Sequence, residues 1–432
     1  MIPGSKKTGK ERAVSGKKSV DWRASMKKRK EEQAVIHVPA PPEVPDTWSC
    51  LGEHLSWNLI LMFCLLIFGL TAANILRPQT GKSETENRTL MQRPALTWSS
   101  LISGEFAGDY EEYLSDQFVL RDRWIALKTG FERLTGRTEI HDVYFADDDY
   151  LIESHDGVFT DAQATGNITT LSAFFEKLTG EMGYSAEHLT AMVVPNAVDI
   201  LRDKLPAFAD PYDEEDYLAQ IADALPEGVY YDAALVLRAH TDDQLYYRTD
   251  HHWTTQAAFC VFSDWIGAKG YGTVDPDLYT TKTVTRSFQG TVASQLGISG
   301  RADTIERIDF LRDDPYVLTY NRSDDVRHTV YQEQCLDTKD KYAYFYGGNY
   351  GLIQEKSSAV HSYRSLLVIK DSYAHCFVPF TYDYFDRVDM VDPRYYNASL
   401  AELIEENGYT DVLFLFNASG FAEETSIARL LS

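Results

Sequence analysis

Residues Leu55–Leu76 read LSWNLILMFCLLIFGLTAANIL, 22 residues without a charge. No other feature constrains the chain so strongly. A helix of that length crosses a hydrocarbon core of about 30 Å at about 1.5 Å per residue. A core helix of a soluble domain is usually shorter and more amphipathic. A cleaved signal peptide has a shorter apolar region that starts nearer the first residue. The stretch therefore predicts an uncleaved anchor.

Charge gives the anchor a direction. Up to Arg77 there are 12 Lys and Arg against 7 Asp and Glu; beyond it, 29 against 58, a net charge of −29. The basic tail, with KKRK at Lys27–Lys30, is expected in the cytoplasm and everything after Arg77 outside it. Rich in Lys, Arg, Ser and Pro, the tail is expected to be disordered. So acidic an outer part repels nucleic acid, and none is expected as a partner. Cys260, Cys335 and Cys376 follow the anchor with no CxxC spacing, which is neither a disulfide framework nor a zinc ribbon.

The expected organisation is a tail at 1–50, an anchor at 51–77, a helical arm at 78–135 packed on the domain, and an α/β domain at 136–432. In the arm, Phe118, Trp124, Leu127, Phe131 and Leu134 recur at mostly helical spacing. Beyond it, the buried-strand runs TAMVVP, SLLVIKDS, RVDMVDP and DVLFLFN alternate with helical stretches. That alternation predicts a parallel sheet covered by helices on both faces. Residues 275–350 are more polar and less periodic, and are expected to form a β-rich insertion near the site.

Within YYRTDHHWTTQAAF, Asp250, His251, His252 and Trp253 sit on a loop entering a helix whose N-cap is Thr254 or Thr255. Three readings compete. A zinc site needs three or four ligands, and no further ligand at helical spacing is visible, so no metal is expected. The histidines as satisfied loop residues are the second reading. In the third, Asp250 orients one nitrogen of His252 while the other takes a proton from a hydroxyl. Ser372 in VIKDSYAH is the candidate hydroxyl, because it directly follows a buried strand, and sites in open α/β sheets lie outside the carboxyl ends of strands. A serine N-cap is the competing role. Cys376 reads as packing, and His375 as a rival base or a supporting group.

TDHHWT at 249–254 followed by KDSYAHCFVPF at 370–380 resembles the DHHW proteins of Gram-positive bacteria, relatives of the SGNH-hydrolase-like alginate O-acetyltransferases. SETENRTL, SDQFVLRD, VPNAVDILRDKLP, GGNYG, DPRYYN and DVLFLFN extend the resemblance over roughly residues 80–432. It implies an SGNH-like three-layer α/β/α fold with permuted motif order. It also implies Asp250 as orienting acid, His252 as base and Ser372 as nucleophile, with no cofactor. Relatives of this kind take an acyl group, usually acetyl, from a multi-span membrane acyltransferase and pass it to a cell-surface glycan. A carbohydrate esterase and a non-catalytic glycan-binding protein are the alternatives. Lys370 stands where the SGNH pattern has glycine, and the oxyanion geometry is expected to differ there. Asn349 in GGNYG is the candidate oxyanion donor, with a turn as its competing role. Trp253 and Tyr373 flank the triad as candidate sugar contacts; packing is the competing role for Trp253.

Overall fold

The computed structural model describes residues 47–83, 88–311, 316–357 and 360–431, so the predicted tail lies almost wholly outside the described residues. The chain divides into two compact units, Met1–Ala73 and Asn74–Ser432. In the first, the uncharged run belongs to helix α1 (Thr47–Leu76), which is long and apolar enough to cross a membrane.

The second unit opens with three helices, α2 (Trp98–Ser103), α3 (Glu105–Asp116) and α4 (Arg121–Leu134). Its centre is a seven-stranded sheet. In chain order the strands are β1 (Leu189–Val194), β2 (Tyr316–Tyr320), β3 (Val326–Arg327), β4 (Leu352–Ser357), β5 (Ser365–Lys370), β6 (Arg387–Val391) and β7 (Asp411–Asn417). Across the sheet they lie in the order β3-β2-β4-β6-β5-β7-β1. The four strands β6, β5, β7 and β1 run parallel, as the buried apolar runs predict. The other side differs from the sequence expectation, since β4, β2 and β3 are added antiparallel. Of residues 275–350, only Tyr279–Phe288 and Asp303–Phe310 form a separate hairpin; β2 and β3 extend the sheet itself. Their alternation is masked by tyrosines and threonines, which suit a partly exposed edge as well as a loop.

Side chains alternate between the two faces of the parallel strands, and both faces are dry. Met192, Val368 and Leu413 point into one apolar cluster with helices α7 (Ala233–Arg238) and α8 (Thr255–Ala268). Val193, Leu367 and Phe414 point into a second with helices α5 (Ala162–Gly180), α6 (Glu214–Ala224) and α9 (Leu400–Asn407). The result is helices on both faces of a mixed sheet. Helix α8 starts where the sequence places it, with Thr254 Oγ1 accepting the Ala257 N–H at 3.2 Å.

Candidate active site

The carboxyl ends of three parallel strands meet at one cavity wall. Strand β5 ends at Lys370 and Asp371 caps the short 3-10 helix Ser372–Cys376, with its Oδ1 accepting the Tyr373 N–H at 2.8 Å. Asp371 Oδ2 accepts both the backbone N–H and the side-chain amide of Asn417, the last residue of β7, at 2.9 and 2.6 Å. Asn196, just past β1, accepts the Ser419 N–H at 2.9 Å. These bonds fix the turn that carries Ser372.

Ser372 Oγ lies 2.8 Å from His252 Nε2. On the other side of the ring, Nδ1–H donates to Asp250 Oδ1 at 2.5 Å. A carboxylate only accepts, so this bond puts the neutral ring's proton on Nδ1 and leaves Nε2 to accept from the serine. Asp250 Oδ1 also takes the His252 N–H at 3.0 Å, while Oδ2 takes the Thr291 N–H at 2.9 Å and the Thr291 hydroxyl at 3.2 Å. Burial opposes ionisation of Asp250, but the two histidines and these hydrogen bonds outweigh it and hold the carboxyl well below its usual range. Asp250 is therefore an anion throughout the working pH range.

Asp250, His251 and His252 lie close enough together to suggest a cation site. Their bonding argues otherwise. Both Asp250 oxygens are filled by N–H and O–H donors, and the direct contact to His252 Nδ1 leaves no room between them for an ion. His252 Nε2 faces the serine instead.

The arrangement opens onto a cavity of about 770 Å³. Ser372, His251, Asn349 and Arg394 contribute to its lining, with carboxylates at Asp142, Glu153 and Asp156. Asn349 is an exposed wall residue after the positive-φ glycines Gly347 and Gly348. Trp253 and Tyr373 are placed elsewhere. Both are fully buried, so neither presents a face to a sugar. Trp253 Nε1 donates to Tyr373 O at 2.8 Å and Tyr373 Oη to His251 O at 2.5 Å, which buckles the two halves of the site together.

Lys370 also corrects its expectation. It is in extended strand backbone with no positive φ, so the turn does not ask for glycine there. Its ammonium is buried, donating to His375 Nε2 at 2.8 Å and to Asp392 Oδ2 at 3.1 Å. Asp392 is gripped from the other side by Arg394 at 2.7 and 2.8 Å. Burial and the neighbouring Lys370 hold His375 well below the usual histidine range, and its Nε2 is occupied. It is a neutral supporting group and no rival base. Burial pushes the Cys376 thiol up to about 12, which removes it as a nucleophile.

Three site residues escaped the sequence. Tyr342 stacks on the His252 ring with centroids 3.9 Å apart. Gly290 and Thr291 form the clamp on Asp250. The first lies in a tyrosine-rich run and the others in a polar segment, and none carries a spacing signal.

The molecule thus has a mixed α/β fold with Asp250, His252 and Ser372 hydrogen-bonded in a row at the carboxyl edge of its sheet. Residues 186–391, which hold all three, match the model of the family described as DHHW protein. The fold is similar to a DHHW family protein from Eubacterium siraeum, at 23% identity and TM-score 0.57, covering 67% of this chain and 95% of that one. It is also similar to PatB1 of Bacillus cereus, solved with a sulfonyl adduct, at 17% identity and TM-score 0.52, covering 66% and 98%. No curated protein matches.

Proposed function

We propose that this chain is a membrane-anchored, extracytoplasmic serine O-acyltransferase, transferring acetyl to a cell-surface polysaccharide on an SGNH-like fold with permuted motif order. The observation that carries the reading is the 2.8 Å contact of His252 Nε2 with Ser372 Oγ, backed by an anionic Asp250. Ser372 attacks the carbonyl of an acyl donor as His252 takes its proton. The tetrahedral oxyanion faces the Ser372 N–H at the turn and Asn349 from the wall, since the next two N–H groups are taken by Asp371. Collapse expels the donor's alcohol, which receives the proton from His252, and leaves an acyl-serine. A sugar hydroxyl then gives its proton to His252 and attacks the ester; the acyl–Oγ bond breaks, His252 returns the proton to Ser372 Oγ, and the acylated sugar departs.

The donor is the product of a multi-span membrane acyltransferase, and the anchor Leu55–Leu76 keeps the domain beside it. Carboxylates at Asp142, Glu153 and Asp156 favour a neutral or amine-bearing glycan over an anionic one. The esterase reading keeps the same chemistry with water as acceptor; the open cavity favours it as the second reading. The binding-protein reading loses its main support, since Lys370 occupies ordinary strand backbone.

The test uses the purified chain with a chromogenic acetyl ester and an oligosaccharide, following acetate release and acceptor mass for wild type and Ser372→Ala. Acetylated acceptor that depends on Ser372 supports transfer. Ser372-dependent acetate with unmodified acceptor selects the esterase. Equal activity in Ser372→Ala sinks both.

A further inference from the structure

The arm's apolar stripe points away from the domain. On α4, Trp124, Leu127, Phe131 and Leu134 follow one another at i, i+3, i+7 and i+10 and are 41%, 63%, 66% and 88% exposed. The opposite face is the one that packs: Thr129 is buried, and Ala126 lies so close to Gly297 that a Cβ there would come within 2.8 Å of it. On α2, Trp98 and Ile102 are likewise 81% and 83% exposed. Water alone does not explain a run of large apolar side chains this exposed.

Two further observations name the occupant. Within the second unit, the corner between α3 and α4 is bonded to the residues that follow Ala73. Val119 N–H donates to Asn74 Oδ1 at 2.7 Å, and Thr80 and Gln117 exchange bonds of 3.0 and 2.9 Å. Asn74 is in the last turn of α1. The second observation is charge. Residues 121–137 carry Arg121, Arg123, Lys128, Arg133 and Arg137 against Asp122 and Glu132, in a part of the chain whose net charge is −29. Arg123 and Lys128 flank the apolar stripe on either side at 100° per residue.

We propose that α2 and α4 lie in the outer membrane–water interface, with Trp98, Trp124, Leu127 and Phe131 in the headgroup–acyl boundary and Arg123 and Lys128, which flank the stripe, on anionic headgroups. Apolar stripes with tryptophans and flanking basic residues partition in this way. The inference rests on the reading of Leu55–Leu76 as a membrane anchor.

The experiment reconstitutes the full chain into phosphatidylglycerol–phosphatidylcholine vesicles with ordinary or brominated acyl chains. The fluorescence that distinguishes wild type from Trp98→Phe/Trp124→Phe isolates these two side chains, because the span and core tryptophans cancel. That difference should be lost in brominated vesicles and restored when Leu127→Glu and Phe131→Glu are added to both proteins of the comparison. A difference equally bright in both vesicles, with the chain resistant to carbonate extraction, overturns the inference and leaves the anchor standing. Cross-linking to a second copy through this face overturns it too. Extraction by carbonate would sink the anchor reading and the inference together.

Discussion

Gly290 gives Asp250 the space it occupies: a Cβ on Gly290 would stand 2.2 Å from Asp250 Cβ and 2.6 Å from its Cα. Those are backbone-anchored atoms, so the strain cannot be relieved by a rotamer change. Gly290→Ala therefore has to push Asp250 off His252. A displacement approaching 1 Å costs on the order of 10²-fold in rate. The expected result is kcat for acetyl-ester turnover reduced about that much, with the far-ultraviolet circular dichroism unchanged.

In the proposed mechanism Asp250 acts through charge and orientation, by way of Nδ1 of His252. Asp250→Asn keeps the shape but lets an amide N–H face the ring, which favours the wrong tautomer. The expected loss in kcat is on the order of 10⁴. Because the carboxyl is held far below its ordinary pKa, wild-type activity should show no acid limb belonging to Asp250. A stopped-flow pH profile of both proteins checks this.

The buried Lys370 bridges His375 and Asp392. Lys370→Gly would introduce the glycine that the SGNH pattern has at this place, yet it strips a buried carboxylate of one of its two cations. Breaking a buried pair costs about 3–5 kcal/mol. The variant should unfold at markedly lower denaturant and gain no activity.

Glu214 is wholly buried; its Oε2 accepts the Asn196 N–H at 2.8 Å, and Oε1 has no hydrogen-bond partner among the described residues. Burial raises its pKa from an ordinary 4.5 to about 8. Between those values the folded chain holds a proton that the unfolded chain has lost. Stability from this group is thus fully present below the lower value, declines as pH rises, and levels off above about 8. The loss is on the order of a few kcal/mol. Denaturation midpoints from pH 4.5 to 8.5 should fall for wild type and fall less for Glu214→Gln.

The parallel half of the sheet was legible because Leu189–Val194, Ser365–Lys370 and Asp411–Asn417 each hold a run of consecutive apolar residues, the pattern of strands buried on both faces. Asp250, His252 and Ser372 were legible as residue types at a strand end and a helix entry. Their meeting, 120 residues apart in sequence, is a property of the sheet order, which no local pattern encodes. Gly290 was not legible because its requirement is a space next to Asp250, with φ in a range open to any residue. Trp253 and Tyr373 were candidate sugar contacts by adjacency alone; their polar atoms find backbone carbonyls inside the core, so both rings bury. The stripe on α4 has the periodicity of a packed face, and periodicity does not tell core from membrane interface.

The central claim is that Ser372 carries the acyl group. Its most direct test mixes the full chain with an activated acetyl ester, quenches in acid and reads the mass of the peptide holding Ser372. One acetyl group is expected on Ser372 in the wild type and none in Ser372→Ala, and the group should disappear when a glycan acceptor is added before the quench. Consumption of the ester with that peptide never acetylated would contradict it.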